Sequence, residues 1–212
     1  MAQVSKAQLD QWEREGYVLV EGALQGEDLL RLQAAFDRCA AEDKPEWLDE
    51  VAVGTRPGAF FDIQRPLERD EAFVRLADHP NYVDLLVAFL GEDHLFQGAQ
   101  VRTLPPSPVS YVGWHPDFSH DKPQHIKLQI YVEDVPADGG AFAFVPGSHK
   151  PDAGPYPVYD VLADMPGHIV FAAAAGTAIL FDNHGWHTAM INTTQVPRKS
   201  IILSYGVRQP EE

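Results

Sequence analysis

The stretch Trp114-His115-Pro116-Asp117 places an imidazole and a carboxylate two residues apart. In an extended segment, residues i and i+2 point to the same side, so both side chains are expected to project into one space. Such a pair can supply two ligands to a divalent metal and needs a third from elsewhere in the chain. The segment Phe181–Thr188, which contains His184 and His187, is the best source of that third ligand. The sequence therefore predicts a metal site that joins two distant parts of the chain.

Short runs of β-forming residues, separated by glycine and proline, surround both halves of this predicted site. They are Phe96–Leu104, Ser110–Trp114, Ile126–Val132, Ala141–Val145, His168–Ala172, Thr177–Phe181, Thr188–Ile191 and Ser200–Val207. About eight short strands at such spacing indicate an all-β sandwich or barrel. The fold is therefore predicted to be mainly β.

The first ninety residues have a different pattern and are predicted to be mostly helical. Ser5 can cap a helix that ends at Gly16, and the run Tyr17–Val20 is typical of a strand. A longer helix is expected over Gly26–Ala41, ended by Pro45. Further elements are a strand at Phe60–Ile63 and helices at Glu71–Ala77 and Asn81–Leu90. We expect one domain over residues 1–212, in which the helical part (1–91) packs outside a β core (92–208).

The composition excludes some classes of binding partner and indicates the cellular compartment. The 212 residues include 16 Lys and Arg against 31 Asp and Glu, a net charge of −15 that argues against nucleic acid or an anionic membrane. The single cysteine, Cys39, excludes an internal disulfide and suits a reducing compartment. The longest apolar run, Ile169–Ala175, is too short to cross a bilayer. A cytoplasmic protein that acts on a small molecule is expected.

Two connecting segments are candidates for covering the metal site. One runs from Pro146 to Gly167 and contains Tyr156, Tyr159 and Met165, and the other is Phe118–Gln124. Long irregular connections of this kind are either functional loops or ordinary connections. Both readings stay open for each segment.

Several spacings occur together in one order. The series consists of His115 and Asp117, Glu133-Asp134-Val135, Gly139-Gly140-Ala141, Val145-Pro146-Gly147-Ser148-His149, Gly176–Asp182, Trp186-His187, Asn192 and Arg198. This series resembles the phytanoyl-CoA dioxygenase family of Fe(II)- and 2-oxoglutarate-dependent oxygenases, and the opening Glu15-Gly16-Tyr17-Val18 also fits. Two histidines and one carboxylate with open positions are the ligand set of non-haem Fe(II) oxygenases. The resemblance implies a double-stranded β-helix, which is a jelly-roll, cupin-like barrel.

The resemblance also implies roles for individual residues. His115, Asp117 and His187 correspond to the catalytic iron ligands, with His184 as a fallback for the third position. Arg198 corresponds to the arginine that holds the 5-carboxylate of 2-oxoglutarate. A planar guanidinium suits this task because it can donate two parallel hydrogen bonds to one carboxylate.

Two positions depart from the family pattern in the co-substrate pocket. Many relatives carry a hydroxyl two residues after the distal histidine, where this chain has Ala189, and either Ser200 or Thr103 is a possible substitute. Gln129 stands where some relatives have tryptophan, and Tyr131 is expected to share its face. We therefore expect an altered pocket for 2-oxoglutarate.

The implied activity uses Fe(II), 2-oxoglutarate and O₂ to hydroxylate a C–H bond of a small metabolite, with release of succinate and CO₂. The carboxylate at Asp117 favours oxygen transfer or desaturation over halogenation. The acidic composition favours a neutral or cationic metabolite over a CoA ester. Two other readings are a cupin-like metal-binding protein without oxidase activity and an inactive small-molecule-binding module without 2-oxoglutarate turnover.

Overall fold

The computed structural model describes residues 4–106, 113–156 and 164–208. Its helices are α1 Lys6–Glu15, α2 Gly26–Ala52, α3 Pro66–Arg69, α4 Glu71–Val74 and α5 Val83–Leu90. Its strands are β1 Tyr17–Val20, β2 Phe61–Asp62, β3 Leu95–Leu104, β4 His125–Tyr131, β5 Phe142–Phe144, β6 Ile169–Val170, β7 Ala178–Asp182, β8 His187–Ala189 and β9 Arg198–Gly206. Helices in the first ninety residues are thus followed mainly by strands, as the sequence predicts.

The strands form two antiparallel sheets. The larger sheet has six strands in the order β1-β7-β4-β9-β3-β2, and the smaller has three in the order β6-β5-β8. Strands that are neighbours in space are often distant in sequence, since β4 lies between β7 and β9. The long pairing of β3 with β9 runs from Leu95 opposite Gly206 to Leu104 opposite Arg198.

The two faces of the large sheet are covered by different parts of the chain. Side chains alternate between faces along a strand, so each strand contributes to both. On the outer face, Ile126, Leu128 and Ile130 of β4 belong to one buried cluster with helical residues such as Phe36 and Leu86. On the inner face lies a second cluster, which includes Tyr131, Phe142, Phe144, Phe171, Ile179 and Phe181. The small sheet thus packs against the inner face, and the helices cover the outer one.

Helix α1 begins and ends as predicted. The Ser5 side chain accepts a hydrogen bond from the Gln8 backbone N–H, and the Gln8 side chain accepts one from the Ser5 N–H. This capping box satisfies donors that a helix start would leave unpaired. At the other end, Gly16 adopts the left-handed conformation with φ of 81°.

The predicted end of α2 at Pro45 is wrong, because the helix continues through that proline to Ala52. A proline inside a helix removes one hydrogen bond and costs about 3 kcal/mol. The extra turns bring Trp47 into the core, where its ring lies 5.5 Å from that of Phe61. Burial of the Trp47 ring offsets the cost of the proline. The local sequence around Pro45 could not predict this contact, because Phe61 lies further along the chain.

Most other predicted elements are present, with ends moved by one or two residues. The helix expected over Glu71–Ala77 is shorter, because regular helix ends at Val74. Of the strand expected at Ser110–Trp114, residues 110–112 lie outside the described residues, and Gly113 and Trp114 are not in a strand. The expectation of a single domain over 1–212 stays a prediction. Among the described residues, no helix combines the length and apolar character needed to span a membrane.

Candidate metal and co-substrate site

Backbone hydrogen bonds bring the two halves of the predicted metal site together. His115 and His187 form an antiparallel bridge, in which the His115 N–H donates to the His187 carbonyl at 3.1 Å and the reverse bond measures 3.0 Å. The Asp117 N–H donates to the Asn183 carbonyl at 2.9 Å. The segment after β7 thus holds both residues of the His-x-Asp pair in place.

The three side chains of this pairing converge. One ligand atom from each of His115, Asp117 and His187 lies within 4.8 Å of the other two. His187 Nε2 is 3.5 Å from Asp117 Oδ2, and His115 Nε2 is 3.9 Å from Asp117 Oδ1. The arrangement provides two imidazole nitrogens and a carboxylate around one point.

The orientation of both imidazoles is set by neighbouring carbonyl groups. His115 Nδ1 lies 2.8 Å from the Gly113 carbonyl, and His187 Nδ1 lies 2.9 Å from the Gly185 carbonyl. A carbonyl only accepts, so each Nδ1 carries the proton and donates, and each Nε2 presents a lone pair. Metal-bound histidines usually make this kind of hydrogen bond through the nitrogen that does not bind the metal.

The charges of the site also favour a cation. Burial lowers the pKa of His187 to about 4, so its imidazole is neutral near pH 7. Burial alone would raise the pKa of Asp117, but the interactions of its carboxylate with His187, Lys127 and His115 outweigh burial and hold that pKa below its usual value. A neutral imidazole and an ionised carboxylate are the forms that bind a divalent metal.

The fallback ligand His184 is engaged elsewhere. Its Nδ1 lies 2.8 Å from Asp182 Oδ1, and its Nε2 lies 3.2 Å from the Lys122 carbonyl. Its ring also stacks on that of His120 at 5.2 Å. Both ring nitrogens of His184 are thus directed at other groups, and His187 is the histidine that the fold brings to the pair.

Most of the predicted co-substrate residues share the inner face of the large sheet. Strand register pairs Tyr131 of β4 with Ser200 of β9, and Gln129 with Ile202. Directly opposed residues point to the same side of a sheet. Arg198 lies two residues before Ser200 on β9 and therefore on that same face.

Unpaired polar atoms are concentrated on this face. Gln129 Nε2, Arg198 Nε and Ser200 Oγ are buried and have no hydrogen-bond partner within the described part of the chain. Buried polar groups are nearly always paired, because an unmade hydrogen bond costs about 1–3 kcal/mol. These three atoms therefore form a buried surface suited to a polar ligand. Arg198 is anchored beside it by a hydrogen bond from Nη1 to the Gly140 carbonyl.

The structure does not bring Thr103 to this surface, which corrects that expectation. Thr103 pairs with Lys199, whereas its neighbour Arg102 pairs with Ser200, so Thr103 points to the outer face. There it lines an apolar groove with Phe36 and Trp47. A shift of one residue in register decides the face, and the sequence of β3 alone does not specify that register.

Tyr131 is on the expected face, but its hydroxyl is already used. The hydroxyl donates to the Phe171 carbonyl at 2.9 Å and accepts from the Phe142 N–H at 2.8 Å. Burial raises the pKa of the hydroxyl, so it stays neutral. Tyr131 thus joins β4 to the small sheet and leaves its hydroxyl no role as a free ligand.

The remaining pocket candidates have structural contacts. Trp114 is buried beside Met165, and Phe118 stacks on the ring of His125 at 4.3 Å. Phe142 and Phe144 pack in the inner cluster. Tyr159, and residues 157–163 of the proposed cover, lie outside the described residues.

Sequence reasoning missed Lys127, whose Nζ lies 2.7 Å from Asp117 Oδ2. The residue is two positions before Gln129 on β4, and therefore on the same face. Period-2 alternation along β4 was the signal that would have identified it.

The residues present fit a divalent metal and a dicarboxylate co-substrate. Asp117 Oδ2 is buried, and the ammonium of Lys127 lies 2.7 Å from it as an ion-pair partner. An ionised oxygen with an open direction, next to two Nε2 lone pairs, matches the donor set of a non-haem Fe(II) site. The buried arginine and the unpaired donors near it match a carboxylate.

Comparison with known proteins agrees with this geometry. The family model described as phytanoyl-CoA dioxygenase matches residues 12–200, which is most of the chain. The chain belongs to this family. Its predicted class, an Fe(II)- and 2-oxoglutarate-dependent oxygenase, is thereby confirmed.

Individual relatives are distant but cover much of the chain. The chain is 26% identical to a protein of Nocardia farcinica named ectoine dioxygenase, over 96% of this chain and 78% of that protein. It is also 26% identical to a protein of Stutzerimonas stutzeri named probable alpha-ketoglutarate-dependent hypophosphite dioxygenase, over 64% of this chain and 50% of that protein. The two relatives are therefore named for chemically different substrates.

The fold is shared with solved structures. The crystal structure of HygX from Streptomyces hygroscopicus, with nickel and 2-oxoglutarate bound, superposes with a TM-score of 0.75 at 14% identity, covering 97% of this chain and 88% of that one. This likeness confirms the predicted double-stranded β-helix.

Proposed function

We propose that this chain hydroxylates a C–H bond of a small-molecule metabolite, with Fe(II) held by His115, Asp117 and His187. The observation that carries the proposal is the convergence of these three side chains beside a face with unpaired buried donors. Each histidine is turned by a carbonyl so that Nε2 faces the carboxylate. The site thus needs little rearrangement to accept the metal.

The inner face of β4 and β9 is proposed to bind 2-oxoglutarate. Arg198 binds the 5-carboxylate. Its guanidinium is buried, Nη1 donates to the Gly140 carbonyl, and Nε has no hydrogen-bond partner among the described residues. Ser200 supplies the hydroxyl that Ala189 lacks, since its buried Oγ lies on the same face and has no partner in the described ranges. Gln129 contributes an amide donor in place of an aromatic ring.

The protein's part in the reaction is placement and protection. The bound metal and 2-oxoglutarate supply oxidation by O₂, with succinate and CO₂ as products. The aromatic inner cluster excludes water from one side, because Phe142 and Phe181 lie with ring centroids 5.7 and 4.9 Å from that of His187. Exclusion of water strengthens the charge pairing of Asp117 and Arg198 with their ligands.

A small-molecule substrate is proposed because the family members matched here are named for small substrates. The alternatives are a cupin-like metal-binding protein and an inactive binding module. Both lack 2-oxoglutarate turnover, so one experiment separates them from the proposal.

The test is anaerobic addition of Fe(II) and 2-oxoglutarate to the purified chain, followed by exposure to O₂ in the absence of substrate. We expect a weak visible charge-transfer band before O₂ and slow release of succinate after it. The matched variants are Arg198→Met, on the inner face, and Lys199→Met, the next residue on the outer face. Charged hydrogen bonds contribute about 1.5–3 kcal/mol, so Arg198→Met should weaken 2-oxoglutarate binding about 10- to 100-fold.

Lys199→Met should change that binding little, because Lys199 pairs with Asp37 at 2.6 Å on the surface. Absence of both band and succinate would favour the two alternatives. An equal response of the two variants would show that Arg198 does not hold the co-substrate.

A further inference from the structure

We propose that Lys127 forms an anion-binding subsite next to the metal and selects substrates that carry a carboxylate or a similar oxyanion. The inference rests on the proposed function, because it concerns the substrate of that same site. It assigns a role to a residue that neither the metal ligands nor the co-substrate arginine requires.

The position of Lys127 is set by strand register. It lies opposite Phe181 on β7 and Ser204 on β9, so its side chain points from the inner face. Its Nζ is 2.7 Å from Asp117 Oδ2. The side chain is 21% exposed, so Lys127 is not sealed from solvent.

The ammonium has hydrogen-bonding capacity to spare. A lysine carries three N–H donors. The ammonium lies 2.7 Å from Asp117 Oδ2, a contact that takes one of the three donors. The other two donors can serve a third group that enters the same space.

Charge balance indicates the sign of that group. With Fe(II) and 2-oxoglutarate bound, the two charges of the metal and the one of Arg198 are balanced by Asp117 and the dianion. Arg102, on the same face, is neutralised by Asp62 through two hydrogen bonds of 2.7 Å. Lys127 then remains as a surplus positive charge in a partly buried site, which is unfavourable unless an anion joins it.

This local charge differs in sign from the whole chain, whose net charge of −15 favours a neutral or cationic metabolite. Exposed charges are screened over about 8 Å at physiological ionic strength, whereas charges at a partly buried site are screened much less. The nearest charges therefore decide selectivity at the site. An anionic substrate is therefore proposed in place of the neutral or cationic metabolite expected from the net charge.

The test uses acetate as a lone-carboxylate probe and acetamide as its neutral match. Each is titrated anaerobically into the Fe(II)–2-oxoglutarate complex, and its affinity is read from the shift of the visible band and from calorimetry. We expect saturable binding of acetate but not of acetamide. Lys127→Gln should weaken acetate binding by about tenfold or more, because it removes a charge-assisted partner.

Lys122→Gln is the matched control, because it removes the same charge from the exposed loop that follows Asp117. It should leave acetate binding within about twofold, since exposed charges contribute little. Affinity for 2-oxoglutarate is measured in parallel for both variants. Folding of Lys127→Gln is verified independently by circular dichroism and urea unfolding of the metal-free protein.

Three results would overturn the proposal. The first is no saturable acetate binding to the wild-type complex, and the second is equal acetate binding by Lys127→Gln. The third is a loss of 2-oxoglutarate affinity in Lys127→Gln without loss of acetate binding, which would make Lys127 a partner of the co-substrate. Absence of the visible band in the wild-type protein would instead refute the proposed function, so the two failures are distinguishable.

Discussion

The outer and inner faces of the large sheet use the same strands for different purposes. On β4, Ile126, Leu128 and Ile130 are fully buried under the helices and bring only apolar atoms. The alternate residues Lys127 and Gln129 face the space in front of the metal ligands and bring a charge and an unpaired amide. One face gains stability from burial, and the other retains polar groups at an energetic cost that a ligand can offset.

This contrast separates stability from function at the level of single residues. Adjacent positions on one strand can differ in role because side chains alternate between faces. Substitution on the outer face should reduce the free energy of unfolding and leave ligand binding intact. Substitution of a polar residue on the inner face should weaken ligand binding and leave the free energy of unfolding equal or higher.

The largest effect is expected for the metal ligands in front of the inner face. His187→Gln should lower Fe(II) affinity and succinate release by more than about 100-fold, because loss of even an indirect contact to a ligand costs 10- to 100-fold. His184→Gln is the matched control, since both nitrogens of His184 already have other partners. Iron titration monitored by the visible band measures the Fe(II) affinity of both variants. Retention of iron by His187→Gln would show that His187 is not a metal ligand.

A smaller effect is expected for the adjacent pair Leu128 and Gln129. Leu128→Ala should lower the free energy of unfolding by about 2–5 kcal/mol, because it leaves a cavity under the helices. Gln129→Leu should leave that free energy equal or higher, because it removes a buried unpaired amide. It should also weaken 2-oxoglutarate binding.

Urea unfolding of the metal-free proteins and 2-oxoglutarate titration distinguish the two variants. The contrast between faces would be lost if Gln129→Leu destabilised the fold as much as Leu128→Ala. It would be sharpened if each variant altered only one of the two measured quantities.

The smallest effect concerns His149, which follows β5 and is not part of the large sheet. Burial lowers its pKa, and the nearby charge of Asp182 opposes this only in part. The unfolded chain therefore binds a proton more readily than the folded one, so stability falls as pH drops below the ordinary histidine pKa of about 6.5. His149→Gln should reduce the loss in melting temperature between pH 7.5 and 5.5, measured on metal-free protein. A loss as large as that of the wild type would contradict this.

The parts of the fold that could be predicted depend on local pattern. Helix α1 was predictable from Ser5 and Gly16, because capping groups lie within one turn of the backbone they satisfy. The inward position of Gln129 and Ser200 could be expected from period-2 alternation. The continuation of α2 past Pro45 could not, because it depends on the contact of Trp47 with a strand that comes later in the chain.

The same division holds for the candidate site. The sequence by itself determined the order and chemistry of the metal-binding groups, since His115 and Asp117 need only an extended backbone to point the same way. The family resemblance already favoured His187 over His184, whereas tertiary structure alone decided that Thr103 faces away and that Lys127 reaches Asp117. Each of these outcomes depends on pairing between segments distant in sequence, and a register one residue different would exchange the two faces of a strand.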